Sequence, residues 1–121
     1  KLSELTIGIG PFVIEPAVTR KIGVAGFAEL TLAATEWKNA YWANEKGLFA
    51  TVFETQKELR EETQNLAEKL ASYNPDALAE LKKTLWKGTG NWNDLLIERA
   101  EVSGKLVLSE FTKKALLKFK K

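Results

Sequence analysis

The sequence predicts a mainly α-helical domain with a short extended segment at its start and one short strand. From Thr55 onward, apolar residues recur at helical spacings, and capping residues, glycines or prolines separate the runs. Before that point, two stretches have the pattern of extended chain. Leu5, Ile7 and Ile9 alternate with Thr6 and Gly8, which predicts extended structure over 2–9, and the partly β-branched run at 49–53 predicts the strand.

Three helices are predicted between these two extended stretches. Pro16 stands at the start of the first helix, where the early backbone N–H groups have no partner within the helix, so proline is tolerated. Gly23 and Gly47 are placed to end the first and third helices. The predicted ranges are 17–22, 26–34 and 35–46.

The second half of the chain carries clearer helix boundaries. Thr55 to Glu58 reads TQKE, which matches a capping box, and Leu59, Leu66 and Leu70 then mark one helix face together with Tyr73. Asn74-Pro75 stops that helix and starts the next. Asn91 and Ser109 are the predicted caps of two further helices.

Composition excludes several kinds of chemistry. The 121 residues contain no cysteine and no histidine, so disulfides, Ser-His-Asp or Cys-His catalysis and ordinary zinc sites are ruled out. We predict no metal site. General acid/base catalysis would have to use a carboxylate, a lysine or a tyrosine. The net charge of +2 is too small to indicate nucleic acid, and no apolar run approaches the roughly 18 residues of a membrane span. We expect a cytoplasmic protein.

Several segments of the chain carry a resemblance in their order and spacing. Ser3 to Pro11 has the form S-E-x-x-x-G-x-x-P, and Arg20 to Gly23 has the form R-x-x-G. Ala28-Glu29-Leu30-Thr31-Leu32 follows, and Ala43 to Phe49 reads A-x-x-x-G-L-F. Together they resemble the enoyl-CoA hydratase/isomerase, or crotonase, superfamily over essentially the whole chain.

The resemblance implies a division of the chain. Residues 1–53 would be the end of the crotonase core, with the catalytic-acid segment, and 54–121 a C-terminal helical region, the two expected to form one compact unit. Because the match is to the C-terminal half of a family member, we expect the family's N-terminal half, with its ββα spiral, to lie before Lys1.

Glu4 is the catalytic candidate that the resemblance implies. The matching glutamate of the family is the general acid/base at the α and β carbons of a CoA thioester, a role that a partly buried carboxylate can fill. The alternative is a solvent-exposed glutamate near the chain start. The family's oxyanion hole uses two backbone N–H groups from the N-terminal half, so residues 1–121 alone are expected to be inactive.

Hydration of a 2-enoyl-CoA and double-bond isomerisation both remain open from these residues. A hydratase needs a second acid, which in the family lies about twenty residues before the glutamate. A dienoyl isomerase has an aspartate eight residues after it, where this chain has Phe12. Phe12 also stands where the family has a glycine-rich loop that shapes the acyl pocket, so it is a candidate substrate contact.

The end of the chain supplies the remaining candidates. The family's last helix presents an aromatic residue and a lysine near the adenine and phosphates of CoA, which implies CoA binding by Phe119, Lys120 and Lys121. The alternative is a helical seam of Leu108, Phe111, Ala115 and Phe119 that ends in a solvated basic tail.

The resemblance also implies partners. The first is an acyl-CoA thioester, in which CoA is part of the substrate, so that no separate cofactor is expected. The second is further copies of the chain, which would form a trimer or hexamer. The enzyme would be a lyase or isomerase of fatty acid metabolism. A reading from a different class is a non-catalytic helical interaction module, in which Lys113 to Lys121 forms a basic amphipathic helix against an acidic partner or membrane surface.

Overall fold

The computed structural model describes residues 1–118 and confirms the mainly α class. Within that range a 3₁₀ helix at Glu4–Ile7 is followed by six α-helices. They are α1 Glu15–Leu32, α2 Ala40–Glu45, α3 Gln56–Ser72, α4 Pro75–Leu85, α5 Trp92–Val107 and α6 Glu110–Leu117.

The two predicted extended stretches are wrong. Residues 4–7 form the 3₁₀ helix, and 49–53 are bends and irregular chain, so the part of the chain that is described contains no strand. A strand needs a neighbour to pair its backbone groups. Here the groups pair locally instead: Thr6 N–H donates to the carbonyl of Ser3 (3.0 Å), as does its hydroxyl (2.6 Å).

The first half of the chain departs from the predicted helices in two places: the predicted helices at 17–22 and 26–34 form the single helix α1, and the third predicted helix begins late. α1 contains a break at Gly23, whose φ of 69° and ψ of 169° are not helical, so the predicted end of the first helix is confirmed as a kink. The third helix was predicted from Thr35 but begins at Ala40. Asn39 caps it by accepting a hydrogen bond from the backbone N–H of Trp42 (2.9 Å), and this cap fixes the later start.

The caps predicted for the second half are largely confirmed. Thr55 accepts from Glu58 N–H (3.1 Å) while the Glu58 carboxylate accepts from Thr55 N–H (3.2 Å), a complete capping box. Asn74 accepts from the N–H groups of residues 76 and 77, and Ser109 accepts from Thr112 N–H. α5 begins at Trp92, directly after Asn91.

The chain divides into two compact units. The first contains Lys1–Ala50 and the helices from Trp92 onward, and the second is Thr51–Asn91. The functional division at residues 53 and 54 stays a prediction.

The first unit has a small core. Its buried apolar residues are Ile22, Leu30, Ala34, Ala43 and Ala115. α6 packs against both α5 and the 3₁₀ helix, and Arg99 of α5 lies 3.9 Å from the Glu15 carboxylate at the start of α1. Because three of the five core residues are alanine, backbones can approach closely there.

The second unit buries no residue within its own described range. Leu66 of α3 is 58% exposed, and Leu85 of α4 is 61% exposed. The leucine face that the spacing predicts for α3 is therefore present, but its side chains are open to solvent. Among residues 1–118, no helix combines the length and apolarity that a membrane crossing requires.

We expect the 121-residue chain to self-associate through these exposed leucines, because contiguous apolar surface tends to be buried by contact between molecules. Sedimentation velocity over a wide concentration range should show species larger than a monomer, and Leu66→Lys should shift the distribution toward monomer. Gln64→Lys, at an exposed polar position of the same helix, is the control. A monomeric wild-type chain at all concentrations would contradict this expectation.

The Glu29 carboxylate links α1 to α2 and should make stability depend on pH. The Trp42 indole N–H, first, and Lys46 hold the pKa of Glu29 below its ordinary value. A lowered folded-state pKa stabilises the fold above the ordinary carboxyl range, and this contribution is lost as the pH falls through the lowered pKa. Glu29→Gln should therefore lower the urea midpoint at about pH 7. The difference between the midpoints at about pH 7 and about pH 3 should be smaller in this variant than in the wild type.

Glu45→Gln is the matched control for that measurement, since Glu45 is an exposed carboxylate of α2. It should leave the pH dependence near that of the wild type. Equal pH dependence in wild type and Glu29→Gln would show that the Glu29 interactions do not contribute.

Candidate functional site

Glu4 begins the 3₁₀ helix and is partly buried. Its Oε2 atom is buried and has no hydrogen-bond partner among the described residues. A buried carboxylate oxygen without a partner is uncommon because desolvation of such an atom is costly.

The backbone of Glu4 is held by the turn that follows it. Gly8 has a φ of 81°, in the left-handed region that favours glycine, and this bend brings Ile9 N–H to the Glu4 carbonyl at 3.1 Å. Gly8 N–H also donates to the Leu5 carbonyl at 3.1 Å. The carbonyl of Glu4 is therefore paired while its side-chain Oε2 is not.

α6 lies directly against this turn. A Cβ added at Gly8 would stand 2.5 Å from Phe111 Cδ1 and 2.9 Å from Thr112 Oγ1. Thr112 has no exposed surface at all. Its hydroxyl donates to the Leu106 carbonyl (3.1 Å) and accepts from the Ser109 hydroxyl (3.1 Å). These hydrogen bonds of Thr112 hold the connection between α5 and α6, and Gly8 lies against the start of α6.

Phe12, the predicted substrate contact, folds back over the same loop. Its ring covers Gly10 so closely that a Cβ there would meet three ring carbons, Cε1 at 2.7 Å, Cε2 at 2.8 Å and Cζ closer still. Phe12 is partly exposed, whereas Gly10 and Pro11 are buried. Phe12 therefore packs on the turn that follows the 3₁₀ helix of Glu4.

A cavity of about 300 Å³ lies elsewhere in the first unit, beside α1 and α2. Its walls are mainly apolar, and neither Glu4 nor Phe12 lines it. Lys1 and Lys38 are its charged lining residues, and each cation lies over a tryptophan ring, Trp37 at 4.8 Å and Trp42 at 5.9 Å respectively.

The Glu29 cluster fixes one wall of this cavity. Glu29 accepts a 2.7 Å hydrogen bond from the Trp42 indole and lies 3.1 Å from Lys46 and 3.4 Å from Lys38. Lys38 also pairs with Glu36 at 3.3 Å. Glu36, first, and Glu29 raise the pKa of Lys38, against the effect of burial. Both Glu29 and Lys38 remain charged near neutral pH, so the cluster acts as a structural ion pair.

The predicted contacts to CoA fall at the end of the chain. Phe119, Lys120 and Lys121 lie outside the described residues. Within residues 1–118, no group of three acidic side chains is arranged to hold a metal ion.

Thr112 is the residue of this site that sequence reasoning missed. Phe111 and Ala115 were placed on the α6 seam by their apolar spacing, but a threonine between a phenylalanine and a lysine carries no such signal. Only the fold shows that Thr112 lies against Gly8.

The comparisons with known proteins give one result. The family model described as enoyl-CoA hydratase/isomerase matches residues 1–119, almost the whole chain. Neither the curated proteins nor the solved structures gave a match. The segment of Glu4 and Gly8, from which the resemblance was first drawn, lies within the matched range. The chain therefore belongs to the enoyl-CoA hydratase/isomerase family.

Proposed function

We propose that this chain supplies the general acid/base glutamate, Glu4, of an enzyme that acts on acyl-CoA thioesters. The observation that carries the proposal is the Glu4 Oε2 atom, buried and without a partner in the described residues, within a chain of this family. A carboxylate that makes no ion pair can accept and return a proton without first losing a partner.

Hydration of a 2-enoyl-CoA is the reaction we favour. The oxygen of water bonds to the β carbon as the C=C π bond opens, and Glu4 delivers a proton to the α carbon. The proton that the attacking water loses is taken up by the second acid that a hydratase needs and replaces the one from Glu4, so the net change is the addition of one water molecule. Double-bond isomerisation, in which the same carboxylate moves a proton between two carbons, is the alternative within the family. Phe12 at the position of a dienoyl isomerase's aspartate argues against that subtype.

The remaining parts of the proposal follow the family resemblance. The two backbone N–H groups that stabilise the thioester oxygen are assigned to the preceding half of the family fold. CoA enters as part of the substrate, no separate cofactor is proposed, and the protein is proposed to act as a cytoplasmic homo-oligomer. Phe119, Lys120 and Lys121 remain the proposed contacts to CoA.

The helical interaction module is less well supported. A basic amphipathic helix binds a surface through its apolar side. Part of α6 is already engaged, since it packs against the 3₁₀ helix and buries Thr112 and Ala115, although Phe111 and Leu117 are exposed. The family match over residues 1–119 also favours the enzyme.

Glu4→Gln in the full-length protein should lower kcat for crotonyl-CoA by about 10²–10⁴-fold, the usual contribution of general acid/base catalysis. The amide keeps the shape of the side chain but cannot exchange the proton, so KM should change much less than kcat. Steady-state kinetics with crotonyl-CoA and one longer enoyl-CoA provide the measurement. Glu45→Gln, an exposed carboxylate of α2, is the matched control and should be as active as the wild type.

The same assay separates the glutamate from the oxyanion hole. Residues 1–121 alone should show no turnover, because the thioester oxygen would have no donors for its developing charge. A full-length Glu4→Gln variant with wild-type kcat would rule out Glu4 as the catalytic group. An active 121-residue chain would instead show that the donors are not in the preceding half.

A further inference from the structure

We propose that α6 is a positioning element for Glu4, which it holds through the contact of Phe111 and Thr112 with Gly8. The inference rests on the proposed function of Glu4 and concerns residues to which the family match assigns no role. Gly8 and Thr112 are positioning residues in this account, since neither is expected to touch substrate.

The connection has two steps, and each is a short contact. Thr112 and Phe111 leave no room for a side chain at Gly8, with distances of 2.9 and 2.5 Å to a hypothetical Cβ. The left-handed bend at Gly8 then presents Ile9 N–H to the Glu4 carbonyl at 3.1 Å. A displacement of α6 therefore has to move the Gly8 turn, and with it the backbone of Glu4.

The α6 side of the connection is rigid. The fully buried Thr112 hydroxyl donates to the Leu106 carbonyl at 3.1 Å, and the Ser109 N–H donates to that same carbonyl at 3.0 Å. Ser109 also caps α6 through Thr112 N–H at 3.2 Å. Threonine at 112 thus joins the end of α5, the start of α6 and the Gly8 turn.

Support of the Glu4 backbone matters because few interactions hold the Glu4 side chain itself. With Oε2 unpartnered among the described residues, no hydrogen bond to that atom fixes the carboxylate. Its position has to come from the backbone. A displacement of about 1 Å in a reacting group can lower the rate by about 10²-fold.

Gly8→Ala tests the first step in the full-length protein. The new Cβ clashes with α6 and strains the φ of 81°, so kcat for crotonyl-CoA should fall by about 10²-fold while KM changes little. Gly88→Ala is the matched control, because Gly88 has a φ of 86° and a Cβ there would meet no atom within 4 Å. It carries the backbone strain without the clash and should keep its kcat.

Thr112→Val and Thr112→Ser test the second step with milder changes. Valine keeps the shape but loses the hydroxyl that joins Leu106 and Ser109, and kcat should fall by about tenfold. Serine keeps the hydroxyl and should restore most of that loss. Hydrogen–deuterium exchange of the peptide that contains Ile9 should be faster in Gly8→Ala and Thr112→Val, which reports the turn without relying on activity.

The outcomes separate this inference from the proposed function. If Glu4→Gln abolishes turnover but Gly8→Ala and Thr112→Val keep wild-type kcat, the positioning role is overturned and the assignment of Glu4 stands. An equal loss of kcat in Gly88→Ala would also overturn it, because strain alone would then explain the effect. Unchanged exchange at Ile9 would overturn the physical link itself, whatever the activity of Glu4→Gln.

Discussion

The close approach of Gly8 to α6 is the constraint on which the first unit depends. A 3₁₀ helix of one turn at Glu4–Ile7 has too few hydrogen bonds to be stable in isolation. It persists because its exit, at Gly8, adopts a left-handed backbone and lies against Phe111 and Thr112. The segment that carries Glu4 and the last described helix are distant in sequence, yet they are in direct contact in the fold.

The rest of the first unit is stabilised by small residues and polar links more than by a large core. Burial of an alanine contributes little, about 0.8 kcal/mol for each buried methylene-sized group, and Ala34, Ala43 and Ala115 form much of the core. What alanine offers is close approach of backbones. The Glu29 cluster then fixes α2 on α1 with an indole hydrogen bond and two ion pairs, although its exposure limits its contribution to stability.

The sequence predicted the helix boundaries that depend on interactions between residues close together in the chain. The capping box at Thr55, the Asn74-Pro75 boundary, the Ser109 cap and the break at Gly23 all depend on residues close together in the chain, and all are present. The extended start failed for the opposite reason. Alternation of Leu5, Ile7 and Ile9 predicts a strand only if a neighbouring strand is available, and in residues 1–118 the backbone pairs within its own turn.

The candidate site likewise contains residues that local sequence indicates and residues that only long-range contacts reveal. Glu4 could be proposed from the S-E-x-x-x-G-x-x-P spacing, because that spacing matches a family pattern. Thr112 could not, because its importance comes from a contact with Gly8, at the other end of the chain, that leaves no trace in local periodicity. Phe12 stays a candidate substrate contact proposed from its position, and its ring over Gly10 could be seen only in the fold.

A glutamate that must transfer a proton faces two opposed requirements. It has to be held in place, yet an arginine or lysine partner that held its carboxylate would also stabilise the charged form and oppose protonation. In this chain the backbone meets the first requirement: Ile9 N–H pairs with the Glu4 carbonyl, and α6 supports the turn at Gly8. The Oε2 atom remains without a partner in the described residues. Support through the main chain leaves the carboxylate free for the chemistry that we propose.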